Sequence, residues 1–141
     1  MNISARTEYA CIAMLELALR DVSTEPVRIR DLAAAHGIPS RFLVQILLQL
    51  KSAGLVASTR GAAGGYRLAK PPAEIVLGQI MDVVEGPSTA GGGNTHDTSA
   101  ARVLRRTWQQ AADAQRSQLD TTTLAELAEQ VGNASAHMYY I

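Results

Sequence analysis

The chain contains one cysteine, Cys11. No disulfide can close within a single molecule, and no thiolate cluster can be assembled from one copy. An overall charge excess is missing too: 13 basic and 13 acidic residues give a formal net charge of +0. Taken alone, that balance argues against nucleic acid as a partner. No apolar run is long enough to span a bilayer. The opening Met-Asn-Ile-Ser-Ala-Arg-Thr-Glu carries no secretory pattern. No membrane partner and a cytoplasmic location are therefore expected. Paired carboxylates, a nucleophile with its base and metal-ligand spacings are absent as well, which speaks against an enzyme and against a cofactor.

The most informative absence is local. Between Asp31 and Glu74 there is no acidic residue, whereas Arg41, Lys51, Arg60, Arg67 and Lys70 all fall inside that stretch. Counterion release depends on the charges that touch phosphate, so a local cationic surface outweighs the whole-chain sum. Scattered solvated charges are the ordinary alternative, and the length of the acid-free stretch weighs against it.

Ile12, Leu15 and Leu19 repeat at helical spacing and predict a first amphipathic helix from about Ser4 to Arg20. Asp21 to Pro26 reads as a polar connection. Ile29, Leu32 and Ala33 mark a short second helix that stops at Gly37. Ile38-Pro39-Ser40 is a tight turn in which Ser40 is placed to cap the next helix. That third helix buries Leu43, Ile46, Leu47 and Leu50, an i, i+3, i+4, i+7 stripe, and ends at Gly54. Its other face carries Arg41, Val44, Gln45, Leu48 and Ser52.

Leu55-Val56-Ala57 and Tyr66-Arg67-Leu68 then flank a turn built from Gly61, Gly64 and Gly65. Arg60 and Arg67 stand at its shoulders, with Lys70 beyond and Pro71-Pro72 closing the unit. The expected fold is mainly α: a winged helix-turn-helix with a two-stranded wing, occupying residues 1–86 together with a short helix through Leu77, Ile80, Met81 and Val84. A Gly-, Ser- and Thr-rich stretch comes next, and residues 87–98 read as a mobile loop. Leu104, Trp108, Ala111, Gln115 and Leu119 run down one side of a long helix. Thr123 and Glu126 fit a capping box for a last short helix that Gly132 would end, so residues 99–132 form the C-terminal dimerisation segment and 133–141 a tail. The long apolar stripe is covered either by the first helix of its own chain or by a second copy. We favour a homodimer, because paired reading heads on a two-fold axis suit a palindromic site.

Three segments resemble the Rrf2 family of bacterial winged-helix transcription regulators. They are Ile3-Ser4 to Leu19 with Tyr9-Ala10, Phe42-Leu43-Val44-Gln45-Ile46-Leu47, and Gly54-Leu55-Val56 through Arg60-Gly61 to Gly64-Gly65-Tyr66-Arg67-Leu68. Glu85-Gly86 and Trp108 also stand where the family places them. The resemblance implies that Arg60 enters the minor groove and the third helix the major groove, with Ser40, Arg41, Phe42 and Gln45 as contact candidates. Arg28, Lys51, Gly64, Gly65, Tyr66 and Arg67 complete the expected DNA surface. Gln can read adenine, and Arg can read guanine or hold a phosphate. Val44 replaces the glutamate that some members carry; with Leu48 it could touch thymine methyl groups or pack locally.

Cluster-binding members place three cysteines between Gly86 and Trp108, where this chain has Ala90, His96 and Arg102. Iron–sulfur clusters need thiolates, so the resemblance is to a member without a cluster. Glu8, a first-helix carboxylate that serves as a ligand in some relatives, then becomes a solvated side chain. Cys11 reads as a small core residue, with a thiol switch as the alternative. His36 falls in the last turn of the second helix, near free carbonyls. The expected function is a homodimeric, cluster-free, DNA-binding transcription regulator that recognises a palindromic operator. The alternative is a winged-helix protein-interaction module acting through a partner protein. A partner protein or a small-molecule effector would act near Pro87 to Ser99.

Overall fold

The computed structural model describes residues 1–20, 25–86, 93 and 95–139. The first part of the expected polar connection (21–24), most of the expected loop including Ala90, and residues 140–141 lie outside the described residues. The elements run α1 (Ala5–Leu19), α2 (Ile29–His36), α3 (Ser40–Ser52), β1 (Val56–Thr59), β2 (Gly65–Leu68), a 3-10 turn (Pro72–Glu74), α4 (Leu77–Glu85), α5 (Ser99–Thr121) and α6 (Leu124–Tyr139). The strands pair antiparallel with Val56 opposite Leu68 and Thr59 opposite Gly65. A mainly helical chain with one two-stranded wing is what the sequence predicts.

Local signals explain most of the boundaries. Ser4 precedes α1, and its hydroxyl accepts from the Thr7 N–H at 3.2 Å, satisfying one of the free donors of the first turn. Gly37 ends α2 in the left-handed region at φ 63, with its N–H returned to the Ala33 carbonyl. The expectation for Ser40 is not met. Ser40 is the first helical residue, and Pro39 occupies the capping position with no side-chain bond. The extended Pro39 backbone makes the entry instead, and its carbonyl accepts from the N–H groups of Phe42 and Leu43 at 3.0 and 3.3 Å.

The α3 stripe behaves as its spacing requires: Leu43, Ile46, Leu47 and Leu50 are all fully buried. On α1 the buried residues are Thr7, Ala10, Ala13, Met14, Leu17 and Ala18, whereas Ile12 and Leu15 are half-buried at its flank. This helix is apolar around much of its circumference and sits centrally, so its small residues take the closest approaches to neighbouring helices. Leu32 of α2, Ile80 of α4, Leu124 of α6 and Ile75 belong to the same core, as do Val27, Ile38, Leu55 and the wing residues Val56 and Leu68.

Helix α6 departs from expectation at its end. Thr123 Oγ1 accepts from the Glu126 N–H at 3.1 Å, as a cap should. The helix then continues through Gly132 to Tyr139. Gly132 is not among the positive-φ glycines, and the following Ala134 and Ala136 are strong helix formers that carry the helix on. A short bridge between Val76 and Thr123 joins the entry of α4 to the exit of α5. In it the Leu77 N–H donates to the Thr122 carbonyl at 3.0 Å and the Leu124 N–H to the Ile75 carbonyl at 2.9 Å.

Candidate nucleic-acid interface

Burying the Leu43 stripe forces the rest of α3 outward. Arg41, Gln45 and Lys51 are exposed, as is Ser40 at the helix start. Val44 and Leu48 lie on the same face, 42% and 52% exposed. Phe42 behaves differently. Its ring is half-buried, packs on the core and lies 6.0 Å from the Tyr9 ring, while the Arg41 guanidinium sits 5.1 Å above it. Phe42 thus supports Arg41 from below, and a cation over an aromatic face is held in place without losing its solvent side.

The wing is shaped by its glycines. A Cβ at Gly64 would stand 2.2 Å from the Thr59 carbonyl oxygen, and one at Gly65 would stand 2.5 Å from that of Val27. No side chain fits at either position, which is why the turn is glycine-rich. Tyr66 is half-buried against the core, and its backbone exchanges two hydrogen bonds of 2.8 Å with Val27. Arg60 and Arg67 project from the wing and are exposed, as is Lys70.

Arg28, at the start of α2, is engaged rather than free: its guanidinium donates to the Ala62 carbonyl at the wing tip. Together Arg28, Arg30, Thr59, Gly61 and Tyr66 line a notch of about 500 Å³ between α2 and the wing. Arg30, exposed in that notch, escaped the sequence reading because it adjoins Asp31 at the edge of the acid-free stretch. Its signal was the Arg28-Ile-Arg30 spacing at a helix start.

The remaining candidates lie elsewhere. His36 stands at the end of α2 with Nε2 3.0 Å from Glu16 Oε1, so it meets a carboxylate of α1 rather than free carbonyls. Glu8 and His96 are exposed, and Arg102 pairs with Asp97 at 3.3 Å. Cys11 is half-buried, and burial with the nearby Glu85 carboxylate pushes its thiol up to about 11. Glu85 itself accepts from Thr7 Oγ1 at 2.6 Å, tying the end of α4 to the start of α1.

Helix α5 contacts the body through its C-terminal half. Arg116 makes a two-pronged pair with Asp82 of α4 at 2.6 and 2.7 Å, and its Nε reaches Asp120 at 2.9 Å. These bonds hold the Asp82 carboxyl below the usual carboxylate range. Asp120 Oδ1 lies 2.1 Å from where a Cβ of Gly78 would stand, so a side chain there would have to displace the Asp120 carboxylate that Arg116 holds. No residue of α5 is buried among those described. Val103, Leu104 and Trp108 remain 60%, 53% and 65% exposed.

Residues 3–130 fit the family described as Rrf2, iron-dependent transcriptional regulator. The chain belongs to the Rrf2 family. It is 36% identical over 142 residues to the HTH-type transcriptional regulator CymR of Bacillus subtilis, covering 100% of both chains. The solved structure of CymR, the global cysteine regulator of B. subtilis, superposes with a TM-score of 0.81 at 35% identity, over 92% of this chain and 98% of that one. The T. potens IscR structure gives 0.79 at 31% identity, over 95% and 90%. Membership makes this chain a DNA-binding transcription regulator and not an enzyme. Among the described residues no helix is long and apolar enough to cross a membrane.

Proposed function

We propose that this Rrf2-family regulator acts as a cytoplasmic homodimer that reads a palindromic operator without an iron–sulfur cluster. Helix α3 lies in the major groove with Arg41 and Gln45 at base edges, and Arg60 of the wing enters the adjoining minor groove. Lys51, Arg67 and Lys70 hold phosphates. The observation that carries this reading is the solvent face of α3 and the wing, where the exposed side chains Arg41, Gln45, Lys51, Arg60 and Arg67 include no carboxylate.

Dimer formation is supported by the uncovered Val103, Leu104 and Trp108 on α5. A two-fold partner would bury them and set two α3 helices on successive groove faces. The residues present do not fit a cluster. The one thiol sits half-buried on α1 with its pKa raised, whereas ligation needs thiolates. Among the described residues no three His, Cys, Asp or Glu side chains gather as a metal site.

The test is footprinting of the full chain on the DNA upstream of its own gene, followed by titration of the protected duplex. Arg60→Ala is expected to weaken binding by about 1–3 kcal/mol. Affinity should also fall steeply with salt. An unchanged Arg60→Ala affinity removes the wing from the mechanism, and no protection in dilute buffer sinks the assignment.

A further inference from the structure

The wing tip has little of its own to hold it. Gly61, Ala62, Ala63, Gly64 and Gly65 fill the span between Arg60 and Tyr66. Within it, one backbone bond forms, from the Gly64 N–H to the Gly61 carbonyl at 3.0 Å. Such a loop samples many conformations unless something outside restrains it. Two restraints come from the segment that enters α2. The reciprocal Val27–Tyr66 bonds stitch down the base of the wing. One residue further on, the Arg28 guanidinium reaches across and donates to the Ala62 carbonyl at the tip. The Arg28 backbone is itself fixed, since its carbonyl accepts the N–H groups of Asp31 and Leu32 at 3.0 and 3.1 Å. The tether therefore runs from a rigid helix start to a loop of small residues, two positions beyond Arg60.

We propose that Arg28 is a positioning residue for the wing: by holding the Ala62 carbonyl it fixes the direction in which Arg60 is presented to DNA. It acts through Arg60 and makes no independent phosphate contact. This rests on the DNA-reading assignment above. Without the tether, the tip must be ordered at the moment of binding, and that cost comes out of affinity.

A double-mutant cycle tests the idea, using the full chain and a duplex recovered by in-vitro selection against it. Arg28→Ala alone is expected to weaken binding about tenfold, the scale of one hydrogen bond from a charged donor. In an Arg60→Ala background, Arg28→Ala should change neither the affinity nor the salt slope. Losses that add in both backgrounds, with about one further unit taken off the salt slope, would mark a direct phosphate contact and overturn the proposal. Should Arg28→Ala lower the melting temperature, Arg28→Gln, which keeps an uncharged donor, goes through the same cycle. A loss that vanishes without Arg60 supports the tether; one that persists overturns it. If selection recovers no duplex at all, the DNA-reading assignment falls and takes the tether with it, whereas additive losses remove the tether alone.

Discussion

Truncating Trp108 to alanine should break the proposed dimer while leaving the subunit folded. The side chain is 65% exposed, with Val103 and Leu104 uncovered one turn earlier. A tryptophan buries about 150–250 Å² when fully covered. The portion still open to a partner is then roughly 100–160 Å², or about 2.5–4 kcal/mol at ~25 cal/mol per Å². Two-fold symmetry makes the same loss occur twice, which sets an upper bound of about 5–8 kcal/mol per dimer. Truncations at the centre of an interface usually realise part of such a sum. A weakening of the dimer Kd by at least about a hundredfold, ~2.7 kcal/mol, is the expected outcome. Sedimentation equilibrium reads it directly, with a thermal melt confirming that the subunit is intact. A wild-type chain that sediments as a monomer, or a variant with the parental Kd, would refute the reasoning.

Three further outcomes are expected. Gly65→Ala places a Cβ 2.5 Å from the Val27 carbonyl oxygen and should break the Val27–Tyr66 pair, costing roughly 1–3 kcal/mol in a denaturant melt; full parental stability would show that the wing gives way easily. Cys11, with its thiol pushed up to about 11, should react with iodoacetamide far more slowly at neutral pH than an unhindered thiol does, and rapid labelling would contradict its placement. Asp82 is held low by its bonds to Arg116. Its contribution is present above the unfolded carboxylate pKa of about 3.9 and is lost as pH falls through the lower folded value. The parent should therefore lose melting temperature on the acid side slightly more steeply than Asp82→Asn, the effect being small for an exposed pair; parallel curves would remove this pair from the stability balance.

What the chain reveals before folding depends on how local the determinant is. The Leu43, Ile46, Leu47, Leu50 stripe and the stop at Gly37 were legible because each is settled by neighbours within one helical turn. The cationic shoulders at Arg60 and Arg67 were legible because they flank a turn whose glycines the backbone demands. Helix α1 was legible as a helix, but the Ile12 and Leu15 spacing did not show its buried face, which Ala10, Ala13, Met14 and Leu17 make. The length of α6 was hidden because a glycine stops a helix only when it turns left-handed, and Gly132 does not. The capture of Ala62 by Arg28 joins residues 34 positions apart. No periodicity records such a contact. It exists only once α2 and the wing have met.

The bridge between Val76 and Thr123 bears on how such a protein measures distance along a duplex. Because the exit of α5 is sewn to the entry of α4, the rod and the head turn as one piece. In the proposed pair, the gap between the two reading heads is then dictated by where two rods cross, not by a slack tether. Inserting one base pair between half-sites swings the second by roughly a tenth of a turn, and a stiff calliper of this kind has no slack with which to follow it.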